Sequence, residues 1–349
     1  MEKNIIPSAL TTGLVPSPAD APAIRWGIIG PGWISARFAE AVSQRTASTI
    51  AAIASRSAER ANQFIADHLE GQPAPKVYTS YEEIVADPDI DAIYVGTPHS
   101  HHRDHALLAI NAGKHLLVEK ALTRNAGEAR EVLDAAEAKG VFIMEAMWTR
   151  FLPHIAAVRE VIAQGTIGDI VSVIADHGQY FEFNPQHRLY NPDLAGGALL
   201  DLGVYPVSFA HDILGAPKTI DARGQLTETN VDGQISMIFD YEGHTQASLH
   251  TTLWGATPTT ASITGTKGRI EIAGNFYAPS TFTVRLNDGT KSYYEADDIL
   301  GLEFEAAEVA RCISEGKLES ERITRAQSLA IMEAMDEIRR QVGVVYPGE

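Results

Sequence analysis

The stretch Ile24-Arg-Trp-Gly-Ile-Ile-Gly-Pro-Gly-Trp-Ile-Ser35 decides the fold of this 349-residue chain. A short apolar run, Trp26–Ile29, ends at Gly30-Pro31-Gly32, and apolar residues then recur with helical spacing. Strand, glycine turn and helix in this order present backbone N–H groups and a helix N-terminus at one point, which suits a pyrophosphate. Ser35 stands where G-x-G-x-x-G has its third glycine, and a small residue can fill that position. The pattern predicts a dinucleotide-binding turn, with a plain glycine turn of an α/β protein as the alternative.

The length and charge of the chain limit its class. A chain of 349 residues is too long for one ordinary core, so we expect two domains. The net charge of −17 disfavours nucleic acid and acidic membrane surfaces as partners. No apolar run reaches the roughly 18 residues of a membrane span. The single cysteine, Cys312, excludes a disulfide framework within the chain and is expected in a helical core. Residues 1–23 are rich in proline and are predicted as an arm, not a signal peptide, so we expect a cytoplasmic protein.

Short apolar runs alternate with helical patterns over residues 24–146, which predicts a parallel sheet with crossover helices. The predicted strands are Trp26–Ile29, Ile50–Ala54, Ala92–Gly96, His115–Val118 and Val141–Glu145. The predicted helices are Ser35–Gln44, Ser57–His68, Tyr81–Ala86, His102–Ala112 and Asn125–Lys139.

The end of the second strand indicates which cofactor is preferred. NAD sites often have Asp or Glu there, on the ribose hydroxyls. Here the strand ends Ala54-Ser55-Arg56-Ser57, with Arg60 one turn further on. A serine hydroxyl and a guanidinium suit a 2′-phosphate, so the sequence favours NADP over NAD. A solvated arginine at a helix start is the alternative.

Two further strands are expected to end at the same ligand crevice. The first leads into Thr97-Pro98-His99, which begins a cluster with His101, His102 and His105. A metal site is disfavoured, because no nearby cysteine or acidic cluster completes it. The other strand leads into Glu119-Lys120, where a lysine beside a bound nicotinamide can donate a hydrogen bond. A surface lysine is the alternative.

The pattern changes after residue 146, and residues 147–349 are predicted as a second domain. A helix, His154–Ala163, and a strand, Ile170–Asp176, precede an irregular aromatic stretch at 178–195. In the following Gly196–Pro206 segment, Asp201 and Tyr205 are four residues apart and share a helix face. Pro206 removes a helix hydrogen bond to Leu202 and bends that helix. Both side chains are also compatible with hydrogen bonds to core backbone.

Seven strand-like segments follow, separated by turn signals at Asp232-Gly233, Glu242-Gly243, Lys267-Gly268 and Asn287-Asp288-Gly289, which predicts a largely antiparallel sheet. The segments are Lys218–Thr227, Gln234–Asp240, Thr245–Thr252, Thr259–Thr264, Arg269–Ile272, Thr281–Leu286 and Lys291–Glu295. The closing helices are predicted at Leu302–Ser314 and Thr324–Val342.

With these motifs in order, residues 24–340 resemble the Gfo/Idh/MocA oxidoreductases. Glu145-Ala-Met-Trp-Thr-Arg-Phe151 and Gly265-Thr-Lys-Gly268 are most similar to the dimeric dihydrodiol and NADP-dependent D-xylose dehydrogenases of that family. The resemblance implies an α/β architecture, with an N-terminal Rossmann domain and a C-terminal α+β domain on a large, open, mostly antiparallel sheet. The exposed face of that sheet often forms the dimer in this family.

The resemblance also implies residue roles. Lys120 corresponds to the lysine at the nicotinamide, Asp201 to a substrate-side carboxylate and Tyr205 to the acid/base, which is His in inositol dehydrogenases. A cation near Tyr205 would lower its pKa from about 10. Ala121 replaces the usual proline, and we expect a looser lysine loop.

The predicted binding residues form two sets. The cofactor set is Gly30, Gly32, Trp33, Ile34, Ser55, Arg56, Arg60, Thr97, Pro98, His99, His102, Glu119, Lys120, Trp148 and Arg150. The substrate set is Phe181, Phe183, His187, Arg188, Tyr190, Asp201 and Tyr205, because aromatic faces with polar tips suit a sugar ring.

These features predict an NADP(H)-dependent oxidoreductase of a sugar or related cyclic polyol, associating as a homodimer or homotetramer through residues 218–295. Three alternatives stay open. The first is a dihydrodiol as the substrate, and the second is a non-sugar substrate such as a dicarbonyl or anhydro-ketose. The third is that the protein is a catalytically silent NADP-binding sensor.

Overall fold

A computed structural model describes residue 6 and residues 13–296 and 298–349. The chain forms two compact units. We call Ser17–Trp148 with Leu300–Leu329 the parallel-sheet unit, and Thr149–Ile299 with Ala330–Glu349 and the described residues before Ser17 the mixed-sheet unit. Residues 1–5 and 7–12 of the predicted arm lie outside the described residues. No helix of the described part is long and apolar enough to cross a membrane.

The parallel-sheet unit is built on six parallel strands. They are β1 (Arg25–Ile29), β2 (Thr49–Ala54), β3 (Lys76–Tyr78), β4 (Ala92–Val95), β5 (His115–Glu119) and β6 (Ile143–Ala146). The sheet order is β3-β2-β1-β4-β5-β6, so the order in which strands are added reverses between β1 and β4. Ligands of such sheets bind outside the carboxyl ends of the strands at that reversal. The predicted strands are confirmed; the three-residue edge strand β3 was not predicted, because it is too short to show a pattern.

Helices connect these strands, and their starts are fixed by local sequence. They are α1 (Trp33–Arg45), α2 (Ala58–His68), α3 (Tyr81–Ala86), α4 (His102–Asn111) and α5 (Ala126–Lys139). Ser57, Ser80 and Asn125 each accept a backbone N–H at the first turn of α2, α3 and α5. Gly140 ends α5 in the left-handed conformation, with φ of 68°. The helix α4 contacts both α3 and α5, whereas α1 contacts α2.

The mixed-sheet unit contains an eight-stranded sheet and the next two α-helices of the chain, α6 (Pro153–Ala163) and α7 (Val204–Leu214). Its strands are β7 (Ile170–Gly178), β8 (Thr219–Leu226), β9 (Asp232–Asp240), β10 (Gln246–Thr252), β11 (Ala261–Gly265), β12 (Gly268–Ile272), β13 (Phe282–Leu286) and β14 (Lys291–Tyr294). The order is β14-β13-β12-β11-β7-β10-β9-β8, and every pair is antiparallel except β7 with β10. The helix α7 packs on β7 and β10.

The last two helices are α8 (Leu302–Ser314) and α9 (Arg325–Val342). The helix α8 belongs to the parallel-sheet unit, packs on α1 and buries Cys312, as expected of that residue. The predicted fold class is confirmed. One turn prediction is wrong, because Asp232 and Gly233 are buried inside β9. The turn before β9 lies over residues 227–231, where Asn230 has φ of 62°.

Candidate active site

The glycine turn after β1 packs tightly on one side and is open on the other. Gly30 has φ of 89°, and a Cβ atom there would lie 2.7 Å from Cγ2 of Thr97. A Cβ atom at Gly32 would meet no atom within 4 Å. The buried Ser35 donates its hydroxyl to the Gly30 carbonyl at 2.7 Å. The turn therefore leaves room for a phosphate group at Gly32, beside the N-terminus of α1.

The position of Ser35 shows why a serine can replace the third glycine of the motif. It is fully buried, and a Cβ atom at Gly96 would lie 2.2 Å from its Oγ atom. The helix α1 therefore approaches the end of β4 because Gly96, rather than residue 35, has no side chain. Trp33 at the start of α1 is 65% exposed, and Ile34 is half-buried.

The tip of β2 presents two exposed guanidinium groups. Arg56 and Arg60 are exposed, while Ser55 is buried and its hydroxyl accepts the Ser57 N–H at 3.3 Å. Ser57 in turn caps α2 by accepting the Arg60 N–H at 3.2 Å. Two exposed, positively charged side chains next to a helix N-terminus suit an anion such as a ribose phosphate.

Histidines from the end of β4 hold the loop that carries Lys120. The Nε2 atom of His99 lies 3.2 Å from the Lys120 carbonyl oxygen. The ring nitrogens of the buried His102 lie 2.9 Å from the carbonyl oxygen of Ala121 and 2.7 Å from that of Thr97. Burial lowers the pKa of His102, while its hydrogen bonds to backbone carbonyl oxygens act in the opposite direction. These two side chains therefore link the ends of β4 and β5.

No group of three or more His, Cys, Asp or Glu in the described residues is arranged to hold a metal ion. Thr97 Oγ1 lies 3.0 Å from Nδ1 of His105. Burial also lowers the pKa of His105, to about 4. The side chains of His99, His102 and His105 thus contact other residues of the protein near the carboxyl ends of β4 and β5.

Glu119 fixes the backbone on the strand side of Lys120. It is buried, accepts the hydroxyl hydrogen of Tyr94 and accepts the Lys120 N–H at 3.2 Å. The Lys120–Ala121 peptide bond is cis, and Ala121 is fully buried. The expected loosening of this loop by Ala121 stays a prediction, although histidine side chains contact the carbonyl oxygens of both residues.

Asp201 and Tyr205 lie where a π-helical turn, Leu199–Gly203, passes into α7. The Val204 N–H donates to the carbonyl oxygen of Leu199, five residues earlier. Pro206 has no N–H for the ordinary bond to Leu202, and a wider turn precedes it. The bend predicted at Pro206 therefore takes the form of a π turn, a feature often found at functional sites. Both Asp201 and Tyr205 are 7% exposed.

The Asp201 carboxylate is held by Arg188. The Nη1 and Nη2 atoms of Arg188 each donate at 3.0 Å to one carboxylate oxygen of Asp201. Such a two-bond pair fixes the plane of both groups. Arg188 was predicted as part of the substrate pocket wall, and the structure joins it to Asp201.

Two aromatic residues that the sequence did not single out surround Tyr205. The ring centroid of Tyr277 lies 4.5 Å from that of Tyr205, and that of His177 lies 5.3 Å away. The His177 and Tyr277 rings stack at 4.4 Å, and Gln179 Nε2 lies 3.0 Å from His177 Nε2. These residues are far apart in sequence, so no local pattern connects them.

The other predicted substrate residues form an aromatic group in the mixed-sheet unit. Phe183 and Tyr190 meet edge to face at 5.1 Å, and Phe181 lies 5.7 Å from His187. The buried Tyr190 donates its hydroxyl to the Phe181 carbonyl at 2.8 Å. The contacts join the predicted wall residues to one another.

Trp148 and Arg150 belong to different units. Arg150 is 2% exposed, and its Nε and Nη2 atoms donate to the hydroxyl and carbonyl oxygens of Ser208 at 3.2 Å each. Its Nη1 atom lies 3.6 Å from Asp212. Arg150 thus binds α7 within the mixed-sheet unit, and its role at a cofactor stays a prediction, as does that of Trp148.

Two family models match the chain. Residues 24–147 match the oxidoreductase family with an NAD-binding Rossmann fold, GFO/IDH/MocA. Residues 155–271 match the GFO/IDH/MocA C-terminal domain.

Curated relatives match nearly the whole chain. The chain is 36% identical over 366 residues to the D-xylose 1-dehydrogenase (NADP(+)) of Hypocrea jecorina, covering 93% of each chain. It is 38% identical over 338 residues to a trans-1,2-dihydrobenzene-1,2-diol dehydrogenase of Xenopus laevis, covering 93% of this chain and 100% of the other. Among solved structures, it is similar to the 3-ketoreductase KijD10 of Actinomadura kijaniata in complex with NADP, with 26% identity and a TM-score of 0.76. That match covers 92% of this chain and 98% of the other.

Proposed function

The chain belongs to the GFO/IDH/MocA oxidoreductase family, and from that membership we propose that it is an NADP(H)-dependent dehydrogenase or reductase of a sugar or related cyclic polyol. The observation that carries the proposal is the position of Lys120. Its loop is joined through His99 and His102 to the segment at Thr97, which packs on Gly30 of the glycine turn. A lysine held beside a dinucleotide turn suits hydride-transfer chemistry.

The residues present fit NADP. The open face at Gly32 and the N-terminus of α1 suit the pyrophosphate, and Arg56 with Arg60 suits a 2′-phosphate. When bound, the nicotinamide supplies or accepts the hydride. NAD is the weaker alternative, because the strand tip at Ser55 carries no carboxylate for the ribose hydroxyls.

The chain supplies the proton transfer and the orientation of the substrate. On oxidation the Tyr205 phenolate accepts the proton of a substrate hydroxyl and becomes neutral tyrosine; on reduction the neutral Tyr205 hydroxyl donates that proton back. The role proposed for Lys120 is to favour the phenolate form of Tyr205, since a nearby ammonium lowers the pKa of a phenol. The Asp201–Arg188 pair accepts and donates hydrogen bonds to neighbouring hydroxyl groups of the substrate, and its fixed plane favours one orientation of a sugar ring.

A trans-dihydrodiol is the second candidate substrate. The aromatic group of Phe181, Phe183 and Tyr190 suits an unsaturated ring as well as the apolar face of a sugar. The D-xylose and dihydrodiol dehydrogenases are similar to this chain at comparable identity.

We also propose that the protein associates as a homodimer or homotetramer through the outer face of its eight-stranded sheet, and that it acts in the cytoplasm. On that face Ile174 and Ile238 are 54% and 38% exposed and flank Ser248 in one row across the sheet. Exposed apolar side chains on an uncovered sheet face favour pairing with a second copy. Light scattering at micromolar concentration tests this, and a monomer mass contradicts it.

Absorbance of NADPH at 340 nm tests the activity. The purified protein is supplied with NADP+ or NAD+ and with D-xylose, D-glucose, myo-inositol and trans-1,2-dihydrobenzene-1,2-diol, and with NADPH and dicarbonyls in the reverse direction. We expect turnover of a sugar or diol with NADP+ and a lower kcat/KM with NAD+. NADPH binding without turnover of any compound would favour the sensor, and turnover of dicarbonyls alone would contradict the sugar assignment.

A further inference from the structure

Two glycines form the entrance to the π turn that carries Asp201. The Gly197 N–H donates to the Leu189 carbonyl oxygen at 2.8 Å. A Cβ atom at Gly196 would lie 2.6 Å from the carbonyl oxygen of Arg188. The entrance therefore lies directly against the backbone of the loop that supplies Arg188, the ion-pair partner of Asp201.

Asp232 holds this entrance from the sheet side. It is fully buried at the start of β9, and its Oδ2 atom accepts the Leu199 N–H at 2.6 Å. A Cβ atom at Gly197 would lie 2.2 Å from Oδ1, so only glycine fits against the carboxyl group. Oδ1 has no hydrogen-bond partner among the described residues. Burying a carboxyl oxygen without a hydrogen bond costs free energy of folding. Such an arrangement indicates that Asp232 has a specific role at this turn.

Tyr346 holds the same entrance from the C-terminal segment. It is 2% exposed, and its hydroxyl donates to the Gly196 carbonyl oxygen at 2.7 Å. The Arg339 guanidinium lies 4.4 Å from the centroid of its ring. Glu349 accepts the Tyr346 N–H at 2.8 Å and the Arg339 Nη1–H at 3.1 Å. The segment after α9 is thus locked so that the tyrosine hydroxyl reaches the glycine carbonyl.

We propose that Asp232 and Tyr346 are positioning residues that clamp the entrance to the π turn and thereby keep Asp201 and Tyr205 in the geometry for proton transfer. This inference rests on the proposed function for its effect on turnover. The two hydrogen bonds hold Gly196 and Leu199, on either side of Gly197, which is the residue with φ of 116°. Glycine has wide conformational freedom, so without the clamp the turn samples other orientations. A small displacement of catalytic groups lowers the rate of the chemical step more than it weakens binding.

Tyr346→Phe is the test variant, because it keeps the ring under Arg339 and removes only the hydroxyl. Gln341→Met is the matched control on α9. Gln341 donates to the Ile220 carbonyl at 2.6 Å and accepts the Ala222 N–H at 2.7 Å, so its loss weakens the packing of α9 on β8 without touching the entrance. Asp232→Leu and Asp232→Asn form a second pair, since only the asparagine keeps an oxygen acceptor for the Leu199 N–H.

The first readout is amide hydrogen exchange of peptides that span residues 197–205, measured by mass spectrometry without any ligand. We expect exchange in Tyr346→Phe to be about tenfold faster than in the parent, and that in Gln341→Met to match the parent. Asp232→Leu should exchange faster than Asp232→Asn. Unchanged exchange in Tyr346→Phe, or an equal increase in Gln341→Met, would overturn the clamp. If Asp232→Leu does not fold, Tyr346→Phe alone decides.

The second readout is turnover with NADP+ and D-xylose, or with the best compound of the panel. Tyr346→Phe should lower kcat by about five- to tenfold with KM changed less than twofold, whereas Gln341→Met keeps the parent kcat. Faster exchange with an unchanged kcat would overturn the positioning role. A parent without turnover on every compound contradicts the proposed function, and the exchange experiment still decides whether the clamp exists.

Discussion

The two compact units place their functional groups by different kinds of contact. In the parallel-sheet unit, Gly30, Gly32 and Ser35 lie within six residues of one another, and the turn follows directly from strand, glycine and helix. In the mixed-sheet unit, Tyr205 meets Tyr277 and His177 across 72 and 28 residues of sequence.

The difference shows which kind of geometry can vary without loss of the fold. The groups predicted to bind the cofactor are backbone N–H groups at strand ends, so their geometry follows from the sheet. The residues predicted on the substrate side come from a loop and a π turn, and Tyr205 meets His177 of β7 and Tyr277 of the turn between β12 and β13, so single substitutions there change the geometry of these contacts. Variants of each half should therefore fail in different measurements.

The largest expected effect belongs to Tyr205→Phe. This change keeps the ring against Tyr277 and removes the proton carrier, so kcat should fall by about 10²–10⁴ while the Kd for NADPH stays nearly unchanged. Steady-state kinetics and fluorescence titration of NADPH measure the two quantities. Turnover within about threefold of the parent would move the acid/base role elsewhere, with His99 or His187 as the next candidates.

Lys120→Ala tests the same proton transfer from the parallel-sheet unit, to which Lys120 belongs. Its loss should lower kcat and move the alkaline limb of the oxidation profile to higher pH, since the tyrosinate loses a cation. The double variant should be little worse than Tyr205→Phe if both side chains act on one oxygen atom. Additive losses in kcat would show that they act separately.

Asp232→Asn tests the mixed-sheet unit through its stability. Burial raises the pKa of Asp232 from 3.8 to about 6, so its stabilising protonation is complete below pH 4 and is lost as the pH rises through 6. Relative to the parent, the variant should gain about 2–3 kcal/mol of unfolding free energy between pH 4 and pH 8. Buried His154 and His211, whose pKa is lowered to about 4, oppose this trend equally in both proteins. Urea unfolding at several pH values measures the difference, and parallel curves would contradict the assignment.

Arg56→Ala tests the cofactor half. Loss of a charged hydrogen bond to a 2′-phosphate corresponds to about 1.5–3 kcal/mol, so KM for NADP(H) should rise ten- to a hundredfold, well above any change for NAD(H). Arg340→Ala, which removes an exposed arginine from α9, is the control. Equal changes in KM for both cofactors would exclude Arg56 as the phosphate ligand.

The smallest expected effect is on packing beneath the glycine turn. Gly96→Ala places a methyl group 2.2 Å from Ser35 Oγ and should lower the unfolding free energy by about 1–3 kcal/mol. Adding Ser35→Gly should restore part of that loss, because the nearest collision disappears. Gly255→Ala, at a position with no atom within 4 Å of an added Cβ atom, should change stability little. Urea midpoints give all three values, and no recovery in the double variant would contradict the packing account.

Sequence patterns predicted the helices and strands well where the apolar pattern extended over many residues or where a capping residue marked the end of a helix. The helices Tyr81–Ala86 and Leu302–Ser314 begin and end as predicted, and the strands differ by one or two residues. The pattern misled at Asp232-Gly233, a pair typical of turns, because tertiary packing turns this aspartate inward against Gly197. Local chemistry does not reveal which long-range partner overrides a turn preference.

The sequence by itself determined the order of strand, glycine turn and helix and the largely antiparallel second sheet, because period and turn chemistry are local properties. The roles of Lys120, Asp201 and Tyr205 were predicted from the family resemblance and stay predictions. Only the tertiary structure decided that Arg188 pairs with Asp201, that Tyr277 and His177 surround Tyr205, and that Tyr346 reaches Gly196 across 150 residues. These contacts depend on how loops and strands fold back on one another, and side-chain partners at such separations leave no periodic trace in one sequence.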